Sequence, residues 1–218
     1  MKKALVLFET SGKIREALKC RGFYCISCDL LPADDGSKDH RQCDVWDILS
    51  KDERYDAIIA HPECTCLTVA GNHVYAAGKS KHQMRLDAVA NTQKIWDRCC
   101  DLSDCVVLEN PQGVLSTMAP NMPKPQYIQP YEFGHDASKK TGLWLKGLSK
   151  LPIDPANRVQ GRMVMHKGKL VERWANQTDS GQNRLGPSEL RWKLRSETYQ
   201  GIADAVADLV ADAVLQAA

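Results

Sequence analysis

Two short apolar runs each end in a reactive side chain, and this constrains the chain more than any other feature. Ile58-Ile59-Ala60 leads into His61-Pro62-Glu63-Cys64-Thr65-Cys66-Leu67-Thr68-Val69-Ala70-Gly71. Cys105-Val106-Val107-Leu108 leads into Glu109-Asn110-Pro111. A few apolar residues bounded by turn formers read as a buried strand. Open α/β sheets keep their ligands at the carboxyl ends of their strands. A thiol that can attack and a carboxyl that can hold a proton, on neighbouring strands, suit covalent catalysis.

The rest of the first half supplies the sheet. Lys3–Phe8 is a short apolar strand, and Lys13–Arg21 is a helix with Ile14, Ala17 and Leu18 on one face, stopped by Gly22. Tyr24–Cys28 is a second strand ending in Asp29, and the polar stretch Pro32–Arg41 is a loop without periodicity. Cys43–Leu49 reads as an acidic turn and a short helix, and Tyr55–Ala60 as a strand. Lys81–Cys99 is the longest helical pattern, with Met84, Ala88, Thr92, Ile95 and Cys99 at helical spacing. Alternating strands and helices argue a parallel sheet covered on both faces. Asn110–Pro155 is rich in proline and glycine and reads as a loop-rich insertion with little regular structure. Met163–Glu172 reads as a hairpin turning at Lys167-Gly168, Asp179–Lys193 is polar, and Thr198–Ala217 is an amphipathic helix rich in alanine and valine.

Composition excludes some classes. Twenty-nine basic against 27 acidic residues give a formal charge of +2, so nucleic-acid binding must rest on a local basic patch. No apolar run approaches the ~20 residues that cross a membrane. Met1–Phe8 is basic, then apolar, but too short for a signal peptide, so the expected compartment is the cytoplasm. Nine cysteines, an odd number, argue for reduced thiols and against a disulfide framework. Cys25 and Cys28 invite a zinc reading, but positions i and i+3 of a strand face opposite sides, so no metal is expected there.

The reactive stretches resemble the cytosine-C5 DNA methyltransferases. That family's nucleophile motif is Pro-Cys, then Ser or Thr four residues on and Ala-Gly at six and seven. Here Cys64 is followed by Thr68 and Ala70-Gly71 at that spacing, and the spacing favours Cys64 over Cys66. The family's acid motif, Glu-Asn-Val, corresponds to Glu109-Asn110-Pro111. Glu63 stands between Pro62 and Cys64 where the family has Pro-Cys, and a carboxylate there raises a thiol pKa. The family's glycine loop after the first strand corresponds to Leu7-Phe8-Glu9-Thr10-Ser11-Gly12-Lys13, with one glycine kept. Asp29 stands where an acid holds ribose hydroxyls, and Asp44-Val45 where the family contacts adenine. The family's Gln-x-Arg-x-Arg strand has only partial counterparts, Gln182-Asn183-Arg184 and Gln160-Gly161-Arg162. A large target-recognition domain is absent; Lys124–Leu148 instead resembles a segment of small phage-encoded methyltransferase-like proteins, as does Arg195–Ala203.

The resemblance implies a Rossmann-like S-adenosylmethionine-dependent methyltransferase sheet with helices on both faces. Residues 1–111 and 196–218 would form the catalytic, cofactor-binding core, and 112–195 a small loop-rich segment that contacts substrate. Cys64 would be the nucleophile and Glu109 the acid that anchors the base. Phe8, Glu9, Ser11, Gly12, Asp29, Asp44, Val45, Pro62 and Ile202 would line the S-adenosyl-L-methionine site. Asn110, Thr68, Lys139, Lys140 and Arg184 would meet the substrate, double-stranded DNA with a flipped cytosine. The implied setting is phage DNA modification, against host restriction, in the cytoplasm of a bacterial host; a monomer is expected. Tyr127, Tyr131, Phe133 and Trp144 amid lysines suit base stacking, with a small aromatic subcore as the alternative. Three other readings stay open: related chemistry on a free nucleotide or with an altered cofactor, a catalytically decayed DNA-binding homologue, and a zinc-binding interaction module.

Overall fold

The computed structural model describes residues 1–215 and contains a seven-stranded sheet ordered β3-β2-β1-β4-β5-β7-β6, plus a separate β8-β9 ribbon. The first five strands are β1 Lys3–Leu7, β2 Tyr24–Asp29, β3 His40–Gln42, β4 Ala57–Ala60 and β5 Val106–Pro111, all parallel. β6 Gln126–Ile128 and β7 Thr141–Lys146 complete the sheet, β7 running antiparallel to both of its neighbours. This is the expected Rossmann-like sheet with helices on both faces.

Strand alternation builds two cores, one on each face. Leu5, Leu7, Ile58, Ala60, Val106 and Leu108 pack toward α2 Val45–Leu49 and α4 His82–Leu102. Ala4, Val6, Ala57, Ile59, Cys105 and Val107 pack toward α1 Lys13–Cys20 and α7 Gln200–Leu215. Cys28 belongs to the first core and Cys25 to the second, so the two thiols do face opposite sides. The hydrogen bond from Arg21 to Asp208 fixes α7 beside α1. Positions 216 and 217 of the expected terminal helix lie outside the described residues.

Several elements differ from the sequence reading. The stretch Asn110–Pro155, expected to be loop-rich, contains α5 Leu115–Met118 and both closing strands. Glycine and proline flank or interrupt short apolar runs there, and long-range pairing with β5 overrides local propensity. Pro32–Arg41 runs into the edge strand β3, three residues long, which pairs with β2. Along α4 the inward face is Arg85, Val89, Thr92, Ile95, Trp96, Cys99 and Leu102, whereas Met84 is exposed. Between these elements sit two further short helices, α3 Asn72–Tyr75 and α6 Arg191–Ser196. The hairpin is as expected: β8 Arg162–His166 and β9 Lys169–Arg173 join through Lys167 (φ 50°) and Gly168 (φ 74°), the type I′ geometry that matches strand twist.

Candidate active site at the carboxyl edge of the sheet

β4 and β5 pair with Ala60 beside Leu108, which sets the residues after them side by side. The His61 Nδ1–H donates to Glu109 Oε2 at 3.2 Å, and Asn110 Nδ2 donates to the Pro62 carbonyl at 2.8 Å. These two bonds tie the Cys64 loop to the Glu109 strand end. Three further attachments fix that loop. Leu67 and Thr68 N–H donate back to the Cys64 carbonyl, and Val114 N–H donates to the Leu67 carbonyl. The buried Arg85 donates to the Cys66 carbonyl (2.7 Å), the Thr68 carbonyl (3.2 Å) and Asn72 Oδ1 (2.8 Å). A Cβ on Gly113 would lie 2.0 Å from the Leu67 carbonyl oxygen, so only glycine lets the β5 and Cys64 loops approach this closely.

Charge in this corner is unevenly shared. Burial pushes the Cys64 thiol up, Glu109 and Glu63 push the same way, and Lys139 pulls against them. Burial also acts to raise Glu109, but the His61 hydrogen bond, Lys139 and Thr141 outweigh it and hold the carboxyl below its ordinary value. The Cys64 thiol therefore feels the Glu109 charge, and Lys139 acts on both groups. Two buried atoms here have no partner among the described residues: His61 Nε2 and Asn110 Oδ1.

The predicted cofactor residues divide into two groups. Phe8 and Pro62 line a cavity of about 330 Å³ with Glu63, Cys66, Asp87, Ala88, Asn91 and Thr92. It opens beside the ends of β1 and β4, the point where the strand order reverses and ligands of such sheets bind. Phe8 takes a left-handed backbone (φ 61°), a strained conformation for a residue with a side chain. Asp29 and Asp44 each accept one backbone N–H, from Leu31 and Trp46, with one carboxylate oxygen. Asp44 thereby caps α2, whose next residue, Val45, is buried in the core. The other group is engaged within the scaffold. Glu9 caps α1, accepting the Ile14 N–H at 2.7 Å and the Arg15 N–H at 3.2 Å, with Ser11 beside it. Burial raises the Glu9 carboxyl; His61, the two amides and Arg15 oppose this. Gly12 (φ 70°) packs so close to Arg15 that a Cβ would lie 2.3 Å from its guanidinium. Ile202 is buried in the core between α1 and α7.

The predicted substrate residues are also split. Lys139 is at the site and donates to the Ser196 carbonyl at 3.2 Å. Thr68 and Asn110 lie on its walls. Lys140 sits 4.8 Å from the centre of the Tyr127 ring, and Arg184 bonds to the Gln177 carbonyl. Three aromatics offered for base stacking are committed elsewhere: Trp144 is buried, Phe133 packs on the core, and Tyr131 stacks on Trp174 at 3.9 Å. Sequence reading missed His61 and Arg85. His61 directly follows an apolar run, which was its one signal; Arg85 sits inside a helical pattern and had none.

No family model matches the chain, and no curated protein matches its sequence. Solved structures of similar fold include a prophage-encoded E. coli protein named for DNA modification methyltransferases: 14% identity, TM-score 0.42, covering 66% of this chain and 46% of that one. The S. pombe Dnmt2 methyltransferase is 16% identical, TM-score 0.45, covering 66% and 48%. The Entamoeba histolytica methyltransferase EhMeth is 13% identical, TM-score 0.47, covering 67% and 53%. The chain spans about half the length of these structures. Among the described residues, no helix is long and apolar enough to cross a membrane, and no group of acids, histidines and cysteines could hold a metal.

Proposed function

We propose that this protein transfers a methyl group from S-adenosyl-L-methionine to carbon 5 of a cytosine flipped out of double-stranded DNA, through a covalent adduct on Cys64. One observation carries this reading: a half-buried thiol and a buried, hydrogen-bonded carboxyl occupy adjacent strand ends, joined by the Asn110–Pro62 bond. Carbon 5 of cytosine is not nucleophilic by itself. A thiolate adding to carbon 6, with a proton held at ring nitrogen 3, turns carbon 5 into an enamine carbon.

The residues present fit the cofactor. The cavity at the strand-order reversal is flanked by Phe8 and Pro62, and Asp29 and Asp44 each keep one carboxylate oxygen for a ligand. Asp29 would take the ribose hydroxyls and Asp44-Val45 the adenine. Glu9, Ser11 and Gly12 would back the methionine end, and Ile202 would support it from the core. Bound there, the cofactor supplies an electrophilic methyl carbon.

The chain's own groups do the rest. The Cys64 sulfur forms a bond to carbon 6, and Glu109 shares a proton with nitrogen 3. That carboxyl is held below its ordinary value and accepts from His61 Nδ1 at 3.2 Å, so the proton it shares with nitrogen 3 is taken up from solvent as the base enters. Lys139 opposes the rise in the thiol pKa that burial imposes. Once carbon 5 carries its methyl group, its proton passes to solvent, the carbon–hydrogen pair re-forms the double bond between carbons 5 and 6, and the carbon–sulfur pair returns to Cys64 as thiolate.

The test is incubation with tritiated S-adenosylmethionine and either unmodified duplex DNA or free cytosine nucleotides, with Cys64→Ser as control. Label in 5-methylcytosine from DNA, absent in the variant, is expected. Label only in free nucleotides would move the substrate. Cofactor binding without label in either would leave a non-catalytic binding protein.

A further inference from the structure

The β8–β9 ribbon has no role in the chemistry above, yet it is built with unusual surface. Met163, Met165 and Leu170 are 56%, 67% and 61% exposed, so more than half of each apolar side chain stands in water. The register pairs Met165 with Leu170 and Met163 with Glu172, and opposed residues of an antiparallel pair share a face. These three exposed apolar side chains and Glu172 therefore lie on one face. Val164 and Val171 lie on the other with Arg162, His166, Lys169 and Arg173, and Lys167 is at the tip. Glu172 is the single acid of the ribbon, and Arg158 (2.6 Å) and the Gly161 N–H (2.7 Å) neutralise it. Lys167 and Lys169 have no ion-pair partner among the described residues.

The root of the ribbon is fastened to the loop that carries Lys139. Asn176 exchanges two hydrogen bonds with the Ser138 backbone, both 2.9 Å. The Ala175 N–H donates to Asp136 at 2.8 Å, and Trp174 donates to the Val159 carbonyl at 3.1 Å while stacking on Tyr131. That loop joins β6 to β7 at the sheet edge where Pro111 pairs with Thr141, the edge of the Cys64–Glu109 site. The ribbon is thus rooted on the catalytic side. Its five-residue strands extend about 17 Å, enough to enter a major groove about 12 Å wide that admits a two-stranded β-ribbon.

We propose that the β8–β9 ribbon inserts into a groove of duplex DNA beside the flipped cytosine, with Met163, Met165 and Leu170 against the base pairs and Lys167 and Lys169 against phosphates. This rests on the DNA reading of the site. Apolar side chains meet the thymine methyl groups that base pairs present in the major groove, and lysines set register on the backbone. The charge balance decides for nucleic acid: a ribbon whose only acid is internally neutralised is complementary to a polyanion.

Duplex binding by fluorescence anisotropy, at several salt concentrations, tests this with the full chain and two double variants. Met165→Ser/Leu170→Ser alters the exposed face, and Lys167→Gln/Lys169→Gln alters the tip; circular dichroism and cofactor binding report that the fold survives. The apolar variant is expected to weaken duplex binding by about tenfold at an unchanged salt slope, as for lost contacts to base edges. The lysine variant is expected to reduce the slope of log K against log salt by about 1.8, two phosphates released. Wild-type binding that neither variant moves would overturn the ribbon proposal alone. A wild-type chain that binds no duplex would overturn the DNA reading with it. A wild-type dimer that the apolar variant converts to monomer, with duplex binding intact, would assign the face to a second copy of this chain and likewise overturn the proposal.

Discussion

The loop after β1 and the loops after β4 and β5 lie along one sheet edge, but they differ in how many of their polar atoms are already used. After β1, Glu9 caps α1 with both carboxylate oxygens, and Arg15, wholly buried, bonds to Ser27 and Asp35. After β4 and β5, His61 Nε2 and Asn110 Oδ1 are buried without partners among the described residues, and Cys64 lies between opposing charges. A buried polar atom left unpaired costs about 1–3 kcal/mol. Such a cost persists where an incoming ligand completes the bond. The first loop is thus closed in itself, and the second keeps bonding positions open at the proposed site.

Glu109→Gln should break that contrast hardest. The amide keeps an acceptor for His61 but cannot exchange a proton with nitrogen 3. Single-turnover label transfer is expected to fall by about 10²–10⁴-fold with thermal stability nearly kept. A rate within a few-fold of wild type would remove the carboxyl from the chemistry. Arg15→Met tests the closed loop. It strips a buried cation from Ser27 and Asp35 and leaves their hydrogen bonds open, so urea denaturation is expected to show a loss of about 3 kcal/mol. Unchanged stability with weakened cofactor binding would invert the comparison and make the first loop the functional one.

The same division explains what the sequence disclosed. Four of the five parallel strands were legible because they are short, mainly apolar runs bounded by turn formers or charged residues; the polar edge strand His40-Arg41-Gln42 was not. The neighbouring strand ends that carry Cys64 and Glu109 were legible because Glu109 directly follows one apolar run and Cys64 comes four residues after another. β6 and β7 were not: Gln126–Ile128 is three residues long, and Thr141-Gly142-Leu143-Trp144-Leu145-Lys146 becomes a strand by pairing with β5. In the first loop, Gly12 is needed for a close approach within the protein itself, because its neighbour across the gap is Arg15. The aromatics of 127–144 suited base stacking, but a periodic pattern cannot tell a ring facing solvent from Trp144, which is 1% exposed.

Lys139→Gln sharpens the electrostatic side of the contrast. Lys139 lowers both Cys64 and Glu109, so its removal disfavours both anions and moves both groups up. The alkylation rate of Cys64 by iodoacetamide, followed by mass spectrometry of its peptide, should rise with pH in both proteins. The whole curve is expected to lie at higher pH in the variant. In Glu109, whose folded value is depressed, the stabilisation is present at neutral pH and is lost as pH falls through the folded value. Lys139→Gln raises that value, so the acid loss should begin at higher pH.

The smallest effect should come from Glu63→Gln. Glu63 is exposed, and it is the last of the groups that raise the Cys64 thiol, behind burial and Glu109. Solvent and salt screen a charge at such a position. Alkylation of Cys64 near neutral pH is therefore expected to speed up by about twofold at low salt, and the gain should fade as salt is added. A large, salt-independent gain would mean that Glu63 acts on the thiol directly, as a close partner within the cavity it lines with Pro62 and Cys66. The Pro-Glu-Cys sequence would then be a brake on the nucleophile, and the open loop would owe its reactivity to whatever ligand displaces that carboxylate.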